Sequence, residues 1–375
     1  MYNNIGLLIK KERENAGLSQ KELAIKSGYN SYQTLLKIEK GDRNITISDL
    51  YKISNALNLN IDYFMEYDKK KEEPVLWREC KNRNKSKIYE NRFKSYIENY
   101  RHLSDFLGMN YKQFVPFSVE ELKKEYFINR RENKYRFASE LAKNIKERFK
   151  LGYYPANSLI REIINRGILI FLFDMENNGS AASFVNDSGA AILLNRKNVP
   201  WRRHFDIAHE LYHILTWYYY DFKSKNYNLS DNDIEEKVAN AFAAELLMPE
   251  DTVKNEIDTL HSQNEIDSFF VLQTSIKFQV SLEAFATRLE FLGYINKEKK
   301  SNLIDENIKK IFWNQYNLEN SQEEELQDED EFPFSYLMLV YSAYRKAKLT
   351  KMKFAKYLNK NIGEIDYYLK QRGLY

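Results

Sequence analysis

Residues 201–215 read WRRHFDIAHELYHIL, and this segment determines the fold and chemistry predicted for the middle of the chain. His209 and His213 are four residues apart, so on a helix their imidazoles lie on one face and can point at one metal ion. Glu210 directly follows His209, where a carboxylate can take a proton from a water beside the ion. Only five histidines occur in 375 residues, so this spacing is well above chance. The alternative is a helix whose histidines merely pack or meet solvent.

A catalytic zinc site needs a third protein ligand, and the segment 233–249, DIEEKVANAFAAELLMP, offers one. Its small residues allow this helix to approach another helix closely. At helical spacing Glu236 shares a face with Asn240 and two alanines, so Glu236 is the predicted third ligand. Glu235 is the rival, because sequence fixes the phase of a helix poorly. Glu245 is expected to face solvent, with support of the ligands from behind as the alternative.

Two segments, WRRHFDIAHELYHIL and EEKVANAFAAELLMP, resemble the ImmA/IrrE family of zinc metallopeptidases. Upstream, ASELAKNIKERFKLG and the strands GILIFLF and AAILLN stand in the family's order, and VSLEAFATRLEFLG resembles its later helical segment. The likeness covers about residues 137–295. It implies a zincin-like metalloprotease domain with Glu210 as the catalytic base. The Zn²⁺ ligands that it implies are His209, His213 and Glu236.

Tyr212 departs from this family, which usually has glycine at that position. The position lies on the far side of the motif from both ligands, so metal binding is expected to survive, whereas helix packing or substrate access can differ. Candidates for a group that stabilises the transition state are His204 and the cluster Tyr218–Tyr220. Both are more often packing residues, because nothing in the sequence fixes their direction.

A second motif lies near the N-terminus. Ser19-Gln-Lys-Glu22 matches a capping box and predicts a helix over residues 20–26, followed by a turn through Gly28. A second helix over residues 32–40 can begin with Ser31 as its cap. Two short helices joined by a glycine-containing turn form a helix-turn-helix, and the first residues of the second helix can reach base edges in a major groove.

The segment 5–64 resembles the XRE/Cro/C1 family of DNA-binding domains, because LSQKELA, IEKG and LYKISNALNL stand in the family's order and spacing. The resemblance implies a five-helix Cro/C1-like domain that binds a double-stranded operator, usually as a homodimer. A small helical protein-interaction domain is the alternative. The predicted DNA contacts are Gln20, which suits a phosphate, and the second-helix residues Ser31, Tyr32, Gln33, Thr34 and Lys37.

Charge is unevenly distributed along the chain. Basic residues outnumber acidic ones over residues 76–101, and this segment could add phosphate contacts to a helix-turn-helix whose own charge is nearly balanced. Residues 319–331 carry acids and no base, which indicates a solvated linker.

The remaining pattern predicts an α+β fold that is mostly helical. Long helices are expected over residues 88–107 and 137–150, and a strand over 167–173. Segments 181–185 and 190–194 could pair with that strand. The predicted domains are a helix-turn-helix domain (1–66), a basic helical linker region (67–136), a metallopeptidase domain (137–300), and an acidic linker with a C-terminal helical region (301–375).

The C-terminal region is expected to form two or three helices. Phe354, Leu358, Ile362 and Ile365 form an apolar stripe at helical spacing. A helical cap or dimerisation element is favoured over a second helix-turn-helix.

Composition excludes several classes of protein. A net charge of +3 and 43% hydrophobic residues are typical of a globular chain. The single cysteine cannot form an internal disulfide or a thiolate zinc site, which favours a His/carboxylate site and a reducing, cytoplasmic location. No apolar run approaches the ~20 residues that span a bilayer, and the N-terminus lacks the order of a signal peptide.

Together the two resemblances predict a DNA-binding transcriptional regulator with a zinc endopeptidase domain. By resemblance, its substrate would be a repressor-type protein, or the chain's own N-terminal domain. One alternative is a regulator whose protease-like domain only senses a signal or holds a dimer. Another is a toxin–antitoxin component whose protease domain acts on a partner.

Overall fold

The computed structural model describes residues 3–43, 45–57, 59, 61–66, 75–78, 83–109, 134–186, 189–216, 229–260, 265–319 and 330–374. The chain divides into two compact units, Met1–Glu73 and Pro74–Tyr375. The fold is α+β and mostly helical, with one four-stranded sheet in the second unit, as the sequence predicts. No helix within the described ranges is long and apolar enough to cross a membrane.

The first unit contains the five predicted helices: α1 (Asn3–Asn15), α2 (Gln20–Lys26), α3 (Tyr32–Lys40), α4 (Ile47–Ala56) and α5 (Ile61–Glu66). Their buried faces meet in one apolar core, which includes Leu8, Leu23, Leu35, Ile38, Ile53 and Phe64.

Local hydrogen bonds explain where α2 and α3 begin. The backbone N–H of Glu22 donates to Ser19 Oγ (3.2 Å), and the backbone N–H of Ser19 donates to Glu22 Oε2 (2.7 Å), which is the predicted capping box. Ser31 caps α3 by a single bond, in which its Oγ accepts from the backbone N–H of Gln33 at 3.2 Å. Helix α1 crosses α3 closely at Gly6, where a Cβ would lie 2.2 Å from the carbonyl oxygen of Ile38. Only glycine fits at that crossing.

The second unit begins with a strand and a long helix. Its strands are β1 (Leu76–Arg78), β2 (Leu169–Phe173), β3 (Ala181–Asn186) and β4 (Gly189–Asn195). Its helices are α6 (Arg83–Phe106), α7 (Lys134–Arg148), α8 (Ala156–Asn165), α9 (Pro200–Thr216), α10 (Leu229–Leu247), α11 (Glu250–Asp258), α12 (Ser268–Phe278), α13 (Leu282–Phe291), α14 (Lys297–Leu303), α15 (Glu306–Glu319), α16 (Phe334–Arg345), α17 (Lys351–Tyr357) and α18 (Ile365–Gln371).

The strand order in the sheet is β1-β3-β4-β2. Strand β4 pairs antiparallel with β3 and parallel with β2, so only one of the two segments expected to pair with residues 167–173 does so. Strand β1 pairs antiparallel with β3 and was not predicted, because three residues within a basic segment are too short to show strand periodicity. The described part of the segment 67–136 contributes β1 to the sheet, and α6 packs against one face of that sheet.

Both faces of the sheet are buried along β2 and β4. Alternate residues such as Ile170 and Leu172 pack against the side that contains α7 to α13, while Leu169 and Phe171 pack against α6 and α16 to α18. Because neither face meets water, β2 is a continuous apolar run instead of an alternating one.

The C-terminal helices cover one face of the sheet, as expected of a helical cap. Phe354, Leu358 and Ile365 are buried there. Ile362 is 49% exposed and was wrongly included in the apolar stripe, because it lies in the turn between α17 and α18.

The end of the acidic segment 319–331 is also not solvated, which corrects the sequence expectation. Asp330 is buried and pairs with Arg372 at 2.8 Å, and the Tyr368 hydroxyl donates to it. Glu331 pairs with Arg92 of α6 at 3.1 Å. Residues 320–329 lie outside the described residues.

Candidate metal centre

Helix α9 carries both histidines of the motif and lies against β3, β4 and α10. It begins with Pro200, a residue that suits the first position of a helix because its missing N–H would be unpaired there anyway. His209 and His213 are both buried, and their Nε2 atoms lie 3.1 Å apart. The helical spacing thus brings two imidazole nitrogens to one point.

Glu236 of α10 completes the cluster. Its Oε2 lies 3.1 Å from His209 Nε2, and its Oε1 lies 3.3 Å from His213 Nε2. One donor atom from each of the three residues lies within 4.8 Å of the others. The two histidines are buried, whereas the side chain of Glu236 is 31% exposed. The cluster can therefore hold a metal ion on its buried side and still be reached past Glu236.

Asn240, one turn after Glu236, fixes the orientation of His209. The Nδ1–H of His209 donates to Asn240 Oδ1 across 2.9 Å. This bond leaves the Nε2 lone pair of His209 directed at the cluster, as a metal ligand requires. The helical spacing predicts that Asn240 shares a face with Glu236. It does not predict that Asn240 orients His209.

Glu210 is buried next to the cluster, and neither of its carboxylate oxygens has a hydrogen-bond partner among the described residues. Ser183 of β3 lies beside the carboxyl without reaching hydrogen-bond geometry. Burial raises the pKa of Glu210 to about 7. An unpartnered buried carboxyl group with this pKa is suited to accept and return a proton near neutral pH.

The pKa values of His209, His213 and Glu236 do not all shift in the same direction. Burial lowers the pKa of His209 to about 4, so this imidazole is neutral. Burial also lowers the pKa of His213, but the nearby Glu236 and Glu210 carboxyls outweigh it and the net shift is upward. For Glu236 burial raises the pKa, and the bonds to His209 and His213 outweigh it and hold the pKa well below its ordinary value. A metal ion would therefore meet a Glu236 carboxylate that is already charged.

Glu235, the alternative third ligand, does not point at the cluster. It is buried, and the Tyr212 hydroxyl donates to its Oε2 at 3.0 Å. Tyr212 is itself fully buried and packs edge-on against Phe137 of α7. The aromatic residue at the position where glycine was expected therefore fills a contact between helices and holds Glu235 away from the cluster.

The two candidates for a group that stabilises the transition state are His204 and the cluster Tyr218–Tyr220. His204 is buried in the core, where burial lowers its pKa to about 4 and the backbone of Gln279 is its neighbour. It packs within the domain rather than at the cluster. Tyr218–Tyr220 lie outside the described residues.

A polar network that the sequence did not reveal joins α9 to the sheet. Asp206, which precedes His209 by one turn, is buried and pairs with Arg78 of β1 at 2.5 Å. Its other oxygen accepts from Ser180 Oγ (2.6 Å) and from Asn198 Nδ2 (3.0 Å). Arg78 is 128 residues away in sequence, so no local pattern could have predicted the pair.

A cavity of about 750 Å³ is lined by residues of α7, α9, α10, α11 and α13. Asn240, which holds His209, lines it, and so does Phe205, one turn before His209 on α9. Other wall residues are Tyr135, Ala241, Ala244, Met248, Ala284, Phe291 and Leu292. Glu245 also lines the cavity, where it forms a buried ion pair with Arg288. The expectation that Glu245 faces solvent was wrong, because α13 supplies a cation at that position.

In the first unit, five predicted DNA contacts lie at the start or along α3. Ser31, Gln33 and Lys37 are exposed, Tyr32 is 48% exposed and Thr34 is half-buried. Gln20 differs, because its Nε2 donates to Glu39 Oε2 at 2.8 Å. The Glu39 carboxylate also pairs with Arg13 at 2.7 Å, so Gln20 is held within the domain.

Comparison with known proteins identifies both modules. A helix-turn-helix family model matches residues 9–64, and a model of the IrrE N-terminal-like domain, a peptidase family, matches residues 165–290. These matches confirm the predicted fusion of an XRE-type helix-turn-helix domain with an ImmA/IrrE-type domain. The chain therefore carries a DNA-binding domain and a metallopeptidase-like domain.

No curated protein matches this chain. Solved structures similar to this chain include two at 13% identity. PlcR of Bacillus thuringiensis in complex with the peptide PapR7 and DNA has a TM-score of 0.19, with 87% of this chain and 100% of that chain covered. Apo ComR of S. thermophilus has a TM-score of 0.17, with 86% and 99% covered.

Proposed function

We propose that this chain is a DNA-binding transcriptional regulator whose second unit is a zinc-dependent endopeptidase that cleaves a repressor-type protein, in trans or within its own chain. The observation that carries the proposal is the unpartnered, buried Glu210 beside the three-donor cluster. A site used only for structure has no need of a free carboxyl group there. The proposed location is the cytoplasm, where a DNA operator would be accessible.

The donor set fits zinc. Two imidazole nitrogens and one carboxylate are the protein ligands of many catalytic zinc sites, which keep a further position open. His209, His213 and Glu236 would hold the ion. When bound, zinc supplies Lewis acidity that makes water acidic enough to attack a peptide carbonyl near neutral pH.

The chain's own residues would then move the proton. Glu210 accepts it from the attacking water and returns it to the nitrogen of the departing amine, which balances the hydrolysis of one peptide bond. Both carboxylate oxygens of Glu210 are buried without a hydrogen-bond partner among the described residues, so no neighbouring donor competes with the water or the amine for them. Asn240 keeps His209 in the tautomer that can bind metal.

For the first unit, we propose that Gln33, Thr34 and Lys37 read or contact an operator from the major groove, with Ser31 and Tyr32 at the helix start. The exposure of most of α3's first turn supports this role. Gln20 would reach a phosphate while it remains held by Glu39.

The test uses Glu210→Gln, with Glu235→Gln as the matched control at a neighbouring buried carboxylate. We expect both full-length variants to retain zinc at the wild-type stoichiometry, measured by metal analysis. Only Glu210→Gln should lose cleavage, by about 10²- to 10⁴-fold, because a positioned general base contributes that much. Mass spectrometry of repressor-type proteins captured by Glu210→Gln, and then incubated with the wild type, measures the cleavage.

Wild-type cleavage rates in Glu210→Gln would contradict the catalytic proposal. Zinc retention without cleavage of any captured protein by the wild type would favour the sensor or dimerisation alternative.

A further inference from the structure

Strand β1 covers the free edge of β3 at the side of the sheet where the metal cluster lies. It pairs antiparallel with β3, with Leu76 opposite Ser183 and Arg78 opposite Ala181. All three of its residues are only partly buried. An uncovered strand edge presents unpaired N–H and C=O groups and is a template for pairing with another extended chain. Strand β1 thus occupies a place where a second peptide could bind.

The covered edge lies close to the proposed chemistry. Leu76 packs against the apolar cluster on the α9 face of the sheet, and its partner Ser183 lies beside the Glu210 carboxyl. Arg78 reaches the same face, where it pairs with Asp206 and lies 5.2 Å from the centre of the Phe205 ring. The side chains of β1 that face α9 therefore border the helix that carries the motif.

We propose that the edge of β3 is the docking edge for an extended segment of the protein substrate, and that β1 occupies it as an intramolecular stand-in. The proposal rests on the proposed endopeptidase function. A substrate would add its main-chain hydrogen bonds to β3 in place of β1, which is a recurrent mode of peptide recognition.

The contacts of β1 define the class of segment that fits. On the α9 face its residues are an apolar side chain and, two positions later, a guanidinium that meets a buried carboxylate. A docking segment would therefore carry an apolar residue followed two positions later by a cation. Successive residues of a strand alternate between faces, so the residue between them is unconstrained on this side.

Trp77 faces the other side of the sheet. Its Nε1–H donates to Glu90 Oε1 of α6 at 2.6 Å, and its ring lies over Gly179, where a Cβ would be 3.1 Å away. Variants at Leu76 or Arg78 therefore change contacts on the α9 face without altering this attachment.

Loosening β1 should raise the affinity for a peptide added in trans. The apparent affinity equals the intrinsic affinity multiplied by the fraction of molecules in which the edge of β3 is free, and loosening β1 increases that fraction. The probe is a fluorescein-labelled peptide with the sequence of residues 74–79, PVLWRE. Its control carries Ser for the leucine and Glu for the arginine. Binding is measured by fluorescence anisotropy to full-length protein that carries Glu210→Gln, so that no cleavage occurs.

We expect Leu76→Ser and Arg78→Ala, each added to Glu210→Gln, to bind the peptide at least tenfold more tightly than Glu210→Gln alone. Arg78→Lys, which keeps the charge, should change the affinity less than Arg78→Ala does. Arg78→Ala leaves Asp206 buried with less compensation and could unfold the domain. Leu76→Ser leaves no charged group without its partner, so this variant tests the proposal even if Arg78→Ala does not fold. Circular dichroism checks that each variant is folded.

No gain in affinity for folded Leu76→Ser, or an equal gain for the control peptide, would overturn the docking edge. Its failure differs from failure of the proposed function, because binding is measured without catalysis. If the loosened chain with native Glu210 binds the peptide but cleaves neither it nor a captured protein, the docking edge stands and the endopeptidase proposal falls.

Discussion

At the scale of single residues, Tyr212 explains the choice between two adjacent acids. Its hydroxyl binds Glu235, while Glu236 turns to the histidines one helical step away. The sequence placed Glu236 on a face with Asn240, and the structure brings both to His209. The sequence could not exclude Glu235, since a shift of one residue turns a side chain by about 100° around a helix. The packing of α10 on α9 sets that rotation.

Asn240→Ala should lower zinc affinity by about 10- to 100-fold, which is the usual cost of removing a group that orients a metal-binding histidine. Competition with a zinc chelator at pH 7 measures the change. Lys237→Ala, at an exposed position of the same helix, is the control and should bind zinc as the wild type does. Equal affinities in the two variants would show that Asn240 does not orient His209.

His204 predicts a pH dependence of stability. Its pKa of about 4 in the fold lies below the ordinary 6.5, so the folded chain keeps it neutral while the unfolded chain takes up a proton. Stability is therefore fully retained above about pH 6.5 and lost as the pH falls toward 4. The loss is on the order of 3 kcal/mol at most.

The measurement is urea unfolding of the metal-free wild type and His204→Gln at pH 7.5 and pH 5. The free energy of unfolding should fall more steeply for the wild type. His209 titrates in both proteins, so the difference between them isolates His204. Parallel pH dependences would show that His204 is not held neutral in the folded protein.

At the scale of elements, prediction succeeded where the signal is local. Ser19 and Glu22 cap α2 as expected, and β2 lies within its predicted range. Strand β1 was missed, since its position depends on pairing with β3, about 100 residues away in sequence. The pairing of β2 with β4 rather than β3 has the same cause, because strand order is a property of the assembled sheet.

Helix α3 carries a prediction about DNA. Gln33→Ala should weaken binding to a selected operator by roughly tenfold or more and leave non-specific binding unchanged, because a base-edge contact contributes about 1–3 kcal/mol of discrimination. Lys37→Ala should weaken binding to every sequence and reduce the salt dependence by about one unit of slope. Titrations of operator and random duplexes at several salt concentrations test both. Identical profiles for the two variants would contradict the assignment of base and phosphate roles.

At the scale of the whole molecule, the net charge does not show which charged side chains pair inside the fold and which are exposed. Arg78 and Arg92 belong to the basic segment 76–101, and they pair with Asp206 and Glu331 inside the second unit. Asp330, expected in solvent, is buried among cations. Long-range ion pairs depend on the fold, so a count along the sequence cannot separate internal pairs from a surface that meets DNA. The proposed boundaries at 66, 136 and 300 rest on sequence alone.

Because each unit has its own apolar core, damage to one core should leave the other folded. Gly6→Ala places a Cβ against the carbonyl oxygen of Ile38, and the resulting overlap should destabilise the first unit by roughly 3 kcal/mol. We expect the full-length variant to lose operator binding while it retains zinc and cleavage of a captured substrate. Leu7→Ala, at an exposed neighbouring position of α1, should retain all three properties. Loss of zinc in Gly6→Ala would mean that the metal centre depends on the helix-turn-helix core.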